Sequence, residues 1–265
     1  MDLSTIIGLF AGFGFLILGD VIEGGNPSHL VGLAPAFIVF GGTLGALMVS
    51  FTLKEIASIP RLVGDACKLH KNSEAELIDV FVRLSEVARK EGLLSLENII
   101  EQEIGDKFDP MLKKGIRMVV DGTDLELVKN MFETEIYVHE QQKKVEASIF
   151  EAAGGYSPTM GIIGTVMGLI KVLGNLTNPD ELSKSIASAF IATLYGVAFA
   201  NLVWLPIASK LKLKEKQSKL EKELIMEGVL SIQAGENPSI IKEKLGAFVS
   251  HNAKKSNVEA PKEEE

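Results

Sequence analysis

Apolar residues gather into four long runs, arranged as two pairs, with about a hundred mostly polar residues between the pairs. The first pair is Leu3 to Gly19 and Leu30 to Leu53. The second is Ala152 to Leu176, interrupted only by Lys171, and Ser185 to Ser209, which carries no charge. Each run is close to the roughly 20 residues that cross a hydrocarbon core about 30 Å thick. A soluble helix rarely stays uncharged for so long. Four such runs predict an all-α polytopic membrane protein: four transmembrane helices in two pairs, with a helical cytoplasmic domain between them. Hydropathy draws the boundaries at 1–53 for the first two helices, 54–151 for the middle domain and 152–209 for the last two helices. Residues 210–265 then form a cytoplasmic tail, expected to be disordered after Val249. The first run is the shortest, at seventeen residues. A cleaved signal peptide wants basic residues ahead of its apolar core and a small-residue cleavage site. Only Met1–Asp2 precedes this run, so it is read as a retained span.

The polar middle reads as helices. Glu74 to Arg89 places Leu77, Val80, Phe81, Leu84 and Val87–Ala88 on one stripe, with Glu76, Asp79, Arg83 and Glu86 facing away. That pattern is a helix with one buried side. Gly92 interrupts it, and Ser95 is placed to cap a helix bearing Leu96, Ile99, Ile100 and Ile104. Asp109–Pro110 opens another helical piece. Asp121–Gly122–Thr123 is a turn, and Thr123 with Glu126 has capping-box spacing. Leu127, Met131, Phe132, Ile136 and Tyr137 then hold a helical period towards Ala153, so one long helix is expected to run directly into the third span. Two charged clusters stand out: Arg83, Arg89, Lys90 and Glu91 with Glu97 beyond, and Lys113, Lys114 and Arg117. Solvated faces explain such runs most simply; working surfaces are the sharper reading.

Charge fixes orientation. Lys54 and Arg61 follow the second run, and Lys210, Lys212, Lys214 and Lys216 follow the fourth. The short links Asp20–His29 and Asn175–Lys184 hold one Lys between them. Positive charge therefore marks the middle segment and both termini as cytoplasmic. The polar middle dilutes the whole-chain figures to 46% hydrophobic residues and a mean hydropathy of +0.23. Net charge is −8, from 35 acidic and 27 basic residues, which is no footprint for nucleic acid. The single cysteine, Cys67, builds neither a disulfide framework nor a zinc site. His29, His70, His139 and His251 share no metal-ligand spacing, and no second His follows His139–Glu140 at the metalloprotease distance. Phosphate-cradling glycine loops and nucleophile elbows are missing from the sequence. An enzyme is not indicated, nor a cofactor.

The membrane helices carry sharper signals. Gly161, Gly164, Thr165 and Gly168 recur at i, i+3, i+4 and i+7, a narrow stripe of small residues with one hydroxyl. The fourth run offers Ala189, Ala192, Thr193, Gly196 and Ala200. Gly8–Gly12 and Gly41–Gly45 are GxxxG pairs. Small stripes let helices approach closely in lipid, and packing accounts for the glycines. Pro158 and Pro206 lie near the cytoplasmic ends of the third and fourth runs. Each removes a backbone donor and leaves a carbonyl open at nearly the same depth, either as plain kinks or as a hinge and polar mouth. A proton or sodium pathway needs an ionisable group or a dense oxygen cluster. These two runs offer Thr165 and Thr193 and no Asp or Glu, with Lys171 able to snorkel outward. The chain can line a path, but a partner helix must bring the carboxylate.

Pro158 to Ile170, Ala192-Thr193-Leu194-Tyr195-Gly196 with Ala200–Asn201, Ala88-Arg89-Lys90-Glu91-Gly92-Leu93-Leu94-Ser95-Leu96-Glu97, and Asp121-Gly122-Thr123-Asp124 together resemble the MotA/PomA family of flagellar motor stator A subunits, over Met1 to about Gly246. The second-pair pattern alone is shared with the wider MotA/TolQ/ExbB proton-channel superfamily; the first hairpin sets the stator family apart. The resemblance implies a homopentamer around two copies of a B subunit, which carries the transmembrane aspartate and a peptidoglycan-binding domain. It also implies a bore lined by the third and fourth helices, rotation of the A ring against the rotor protein FliG, and residence in the bacterial inner membrane. The family's arginine falls on Arg89, its neighbouring lysine on Lys90, the acidic rotor-contact residue on Glu97, and the two functional prolines on Pro158 and Pro206. Sodium-type relatives carry threonine where Thr165 and Thr193 stand; typical proton-type ones carry alanine or another small residue at the former. The transported ion, H+ or Na+, stays open, because hydroxyls can serve a partly dehydrated sodium, a backbone carbonyl or a partner's carboxylate. An ExbB/TolQ-like energiser of envelope transport and a non-conducting membrane scaffold are the alternative readings.

Overall fold

The structure is a computed structural model that describes residues 3–68, 74–99, 108–174 and 179–258, with Asp180 and residues 249–258 given by backbone alone. All regular structure among the described residues is helical. In chain order the helices are α1 (Leu3–Ile22), α2 (Leu33–Ser50), α3 (Leu53–Ala57), α4 (Ile59–Ala66), α5 (Glu74–Glu91), α6 (Leu96–Ile99) and α7 (Pro110–Val120). They continue with α8 (Leu125–Gly174), α9 (Pro179–Phe199), α10 (Leu205–Gln233) and α11 (Pro238–Val258). A π-helical turn, Ala200–Trp204, joins α9 to α10 without a break, and another, Phe37–Gly41, lies inside α2. Four stretches are long and apolar enough to span a membrane: α1, α2, part of α8, and part of the α9–α10 run. They form two pairs around the helical middle segment, and with the charge distribution they make this a four-span membrane protein with cytoplasmic termini.

The spans differ in detail from their hydropathy limits. α1 runs one turn past Gly19, to Ile22. α2 is shorter than Leu30 to Leu53. It starts after the extended Gly32, and it stops at Ser50 because Phe51 is extended and Thr52 opens α3 through a capping box with Glu55. α8 carries the middle segment into the third span as one 50-residue helix. Leu176, the expected end of that span, lies outside the described residues, as do His70, Ile100 and Ile104. α11 is described to Val258, by backbone alone after Phe248; residues 259–265 lie outside the described set.

Chain contacts divide the molecule into two compact units, residues 1–69 with 142–214 and residues 70–141 with 215–265. In the first unit, α1 buries no residue and leaves Phe10 75% exposed, which suits lipid and would be a liability in water. The first hairpin is held to α9 by aromatic contacts and hydrogen bonds. Phe199 meets Phe13 at 5.4 Å and Phe40 edge-on at 4.5 Å between ring centroids. The Tyr195 hydroxyl donates to the Leu30 carbonyl at 2.7 Å and accepts from the Gly32 N–H at 3.0 Å. At the cytoplasmic end Leu47, Leu62, Ile149, Phe150, Ala153 and Ala208 form a buried cluster. Lys214 donates to the Asp65 and Lys68 carbonyls at the end of α4. A hydrogen bond from Lys68, aided by Arg61, holds the Asp65 carboxyl below its ordinary range.

The second unit has a hydrophobic core of its own. Leu77, Phe81 and Leu84 of α5 pack with Met111 and Ile116 of α7, Phe132 of α8, Leu224 and Val229 of α10, and Leu245 of α11. Gly228 sits against the Phe81 ring, where a Cβ would stand 2.6 Å from ring carbons. Lys222, nearly buried, pairs with Asp109 at 2.7 Å. Asp109 also caps α7 by accepting from the Met111 N–H at 2.9 Å. Two caps differ from the sequence reading. Asp124 rather than Thr123 caps α8, accepting from Glu126 and Leu127 N–H groups. The Thr123 N–H is engaged in closing α7 over Gly122, whose φ of +69° ends that helix. Ser95 donates back to the Gly92 carbonyl at 2.6 Å and lies in a short 3-10 turn, so it does not cap α6.

Candidate functional site

The third span, the C-terminal part of α8, and the fourth, α9, meet along their small-residue stripes. A Cβ on Gly196 would stand 2.5 Å from the Ser157 carbonyl oxygen, 3.1 Å from the Pro158 Cα and 3.2 Å from the Gly161 Cα. On Gly161 it would stand 2.9 Å from the Ala192 carbonyl oxygen. Gly164 and Gly168 face the Cβ atoms of Ala192 and Ala189, each 2.6 Å from the site a Cβ would take. Here backbone rests on backbone, which is what glycine permits and larger residues forbid. The first two spans behave differently: Gly8, Gly41 and Gly45 have nothing within 4 Å of a built Cβ, and within α1 and α2 only Gly12, against Leu202, and Gly42, against Met160, make close contacts.

That close approach brings Thr165 and Thr193 together. Their hydroxyl oxygens lie 2.5 Å apart, and Thr165 Oγ1 also lies 3.1 Å from the Gly161 carbonyl oxygen and 3.0 Å from that of Ala189. A hydroxyl has one proton. Thr165 Oγ1 reaches both carbonyls, and either hydroxyl can donate across the Thr165–Thr193 contact. Two half-buried oxygens sit together in a membrane segment without a carboxylate.

Both prolines lie on the cytoplasmic side of this contact. α8 continues unbroken through Pro158, which stands beside Gly196. Pro206 follows the π-helical turn, ten residues and about 15 Å further along. The prolines themselves therefore differ in depth. The carbonyls deprived of a donor are those of Gly154 and Leu202, and Gly154 packs against Leu205, so these carbonyls lie within about one turn of a common level. The π-turn, which hydropathy does not reveal, puts Asn201 on an exposed face with its side-chain amide donating to the Val197 carbonyl at 2.9 Å. Ser157 was also missed: it is fully buried at the Gly196 contact, and its Oγ has no partner among the described residues.

In the second unit, Arg89 and Lys90 end α5, Gly92 turns the chain at φ +88°, and Glu97 begins α6; all three charged residues are exposed. Leu94 between them is exposed as well. Lys114 of the other basic cluster pairs with Glu135 at 2.6 Å. The structure therefore gathers Thr165, Thr193, Gly161, Gly164, Gly168, Gly196 and Pro158 in the first unit, with Pro206 at the start of α10, and groups Arg89, Lys90 and Glu97 in the second.

Residues 103–224 match the MotA/TolQ/ExbB proton channel family. Over 246 residues the chain is 39% identical to Motility protein A of Bacillus subtilis, covering 92% of this chain and 90% of that protein. It is 35% identical over 250 residues to Chemotaxis protein PomA of Vibrio alginolyticus, covering 94% and 96%. Among solved structures, the flagellar MotAB stator complex of Bacillus subtilis contains a chain that superposes with a TM-score of 0.85 at 38% identity, covering 92% of this chain and 95% of that one. A chain of C. jejuni MotAB does so with a TM-score of 0.84 at 32% identity, covering 94% and 96%. Similarity of this extent includes the first hairpin as well as the superfamily core, and the chain belongs to the MotA/PomA family within the MotA/TolQ/ExbB superfamily.

Proposed function

We propose that this chain is the ion-path-lining A subunit of a flagellar motor stator. Five copies surround two copies of a B subunit that carries the transmembrane aspartate and the peptidoglycan-binding domain. Inward flow of H+ or Na+ past the third and fourth spans turns the A ring against the rotor protein FliG. The observation that carries this reading is the Thr165–Thr193 oxygen pair, set in membrane spans without a carboxylate in a chain that matches MotAB chains along nearly its whole length. The pair needs a partner's carboxylate to move an ion, and a stator B subunit supplies one.

Residues 1–53 and 152–209 act as the membrane hairpins, 54–151 presents the rotor-facing surface, and 210–265 forms the tail. Arg89, Lys90 and Glu97 meet opposite charges on the rotor. Pro158 and Pro206 shape the cytoplasmic mouth and couple ion release to helix movement. Expression with its cognate B subunit in cells without a stator tests this. Rotation should return, and the purified complex should contain five A chains for two B chains. A strictly two-fold particle, or support of an envelope transporter in place of rotation, would remove the stator reading.

A further inference from the structure

The fourth span has one face bound to its own chain and one that is not. Ile191, Tyr195, Phe199 and Leu202 meet the first hairpin, through Gly32, Leu30, Phe13 with Phe40, and Gly12 respectively. About a third of a turn round the helix lie Phe190, Leu194, Val197 and Asn201, all exposed within this chain. Thr193 borders that second face. Three of its four residues are apolar, and the fourth is an amide inside the membrane segment.

The Asn201 carboxamide is held in a defined orientation. Its Nδ2 donates to the Val197 carbonyl at 2.9 Å, and the reverse assignment would set oxygen against oxygen. Oδ1 is therefore the atom presented outward. An amide oxygen aimed at hydrocarbon is costly, and polar groups within spans face a wet cavity or a protein neighbour. Asn201 also lies in the π-turn Ala200–Trp204, and such turns recur at functional sites. From Leu194 to Ala208 the other hydrogen-bonding side chains are Tyr195, engaged by the first hairpin, and Trp204. Asn201 follows Thr193 by eight residues, about 12 Å towards the cytoplasm.

We propose that Asn201 Oδ1 is the inner oxygen of the ion path, receiving the hydrated cation, sodium or hydronium, after it leaves the threonine pair. The inference rests on the stator reading. The carbonyl-type oxygen replaces part of the hydration that a cation gives up in the narrow region, and it does so on the release side. Substitution should thus slow turnover at saturating ion and leave the half-saturating external ion concentration unchanged.

The test uses the complete A–B complex in cells lacking their own stator, comparing the parent with Asn201→Ser and Asn201→Ala at matched membrane levels. Ser and Ala are alike in size, so the pair isolates the oxygen. Low-load rotation speed is recorded against external sodium at fixed pH, and against pH without sodium; the arm that drives the parent identifies the ion. Asn201→Ala should lower maximal speed about tenfold, the scale of one lost hydrogen bond to a charged group, and Asn201→Ser should recover most of it, both with the parent's half-saturation. Equal speeds for Ala, Ser and parent would overturn the assignment, as would equal losses for Ala and Ser. Failure of the parent itself to rotate would overturn the stator reading instead.

Discussion

Gly196→Ala tests the geometry at its tightest point. The added Cβ would stand 2.5 Å from the Ser157 carbonyl oxygen and 3.1 Å from the Pro158 Cα. Ordinary contact begins near 3.4 Å, and both neighbours are backbone. Neither can rotate away, so the third and fourth spans must part by about 1 Å. Overpacking of this kind costs about 1–3 kcal/mol. The same movement stretches the 2.5 Å Thr165–Thr193 contact to roughly 3.5 Å, beyond hydrogen-bonding range for hydroxyls. The expected phenotype is a complex that still reaches the membrane but rotates severalfold more slowly. Gly8→Ala is the control, because a Cβ there meets nothing within 4 Å. Rotation speed and membrane abundance should be measured together. If Gly196→Ala matches Gly8→Ala in both, the backbone contact does not set the threonine geometry and the packing argument fails.

Pro158→Ala and Pro206→Ala should each restore a backbone bond, leave membrane levels largely intact and reduce rotation sharply; normal swimming in both would reduce the prolines to packing features. Arg89→Glu should impair rotation more than Arg89→Gln, since exposed pairs are worth only about 0–1 kcal/mol while reversal adds repulsion, and a reversed rotor charge should partly rescue it. Thr165→Ala should raise the sodium needed for half-maximal speed in a sodium-driven complex and be mild in a proton-driven one, as read from speed against sodium at fixed pH. Lys68 and Arg61 depress the Asp65 carboxyl, so its stabilising contribution is present above the unfolded carboxylate value of about 3.9 and is lost as pH falls through the depressed one. Asp65→Asn should therefore show less acid-dependent loss of thermal stability at that end than the parent, and parallel acid curves would refute the coupling.

The fold was legible where one principle dominates. Uninterrupted apolar length announced the spans, and the period of Leu77, Phe81 and Leu84 announced the buried side of α5. The long α8 could be read because no Gly or Pro stands between Leu125 and Ala153, and within the membrane the helix tolerates Gly154, Gly155 and Pro158. The tail was harder. Leu224, Ile225, Val229 and Ile232 have helical spacing and fill the second core, but hydropathy assigns them to a polar region, and a stripe reveals a buried face without naming the partner it packs on. Capping failed by one residue at Asp124 because Thr123 also had to close the preceding helix. The site was half visible. The glycine and threonine stripes predicted a close contact, while the π-turn and Asn201 depend on how the chain accommodates Pro206, which no periodicity encodes.

The threonine pair also constrains which state of a partner it can receive. In one of the two arrangements the short contact allows, Thr165 gives its proton to a backbone carbonyl and Thr193 gives its proton to Thr165, and what the pair then presents is lone pairs. A bare carboxylate arriving alongside finds no free donor, and like partial charges face each other. A protonated carboxyl can donate to Thr193 Oγ1, and a carboxylate carrying sodium can place the cation between its own oxygens and the hydroxyl. Either loaded form is favoured over the empty one. The same residues therefore favour loading with both ions, and the chemistry that separates them lies in how much hydration the site must replace. A proton needs one acceptor, whereas sodium needs several oxygens at once. Loss of the Thr165 hydroxyl removes the support that turns Thr193 outward, which costs a sodium site a ligand and its geometry but leaves a protonated carboxyl with the Thr193 acceptor still in place.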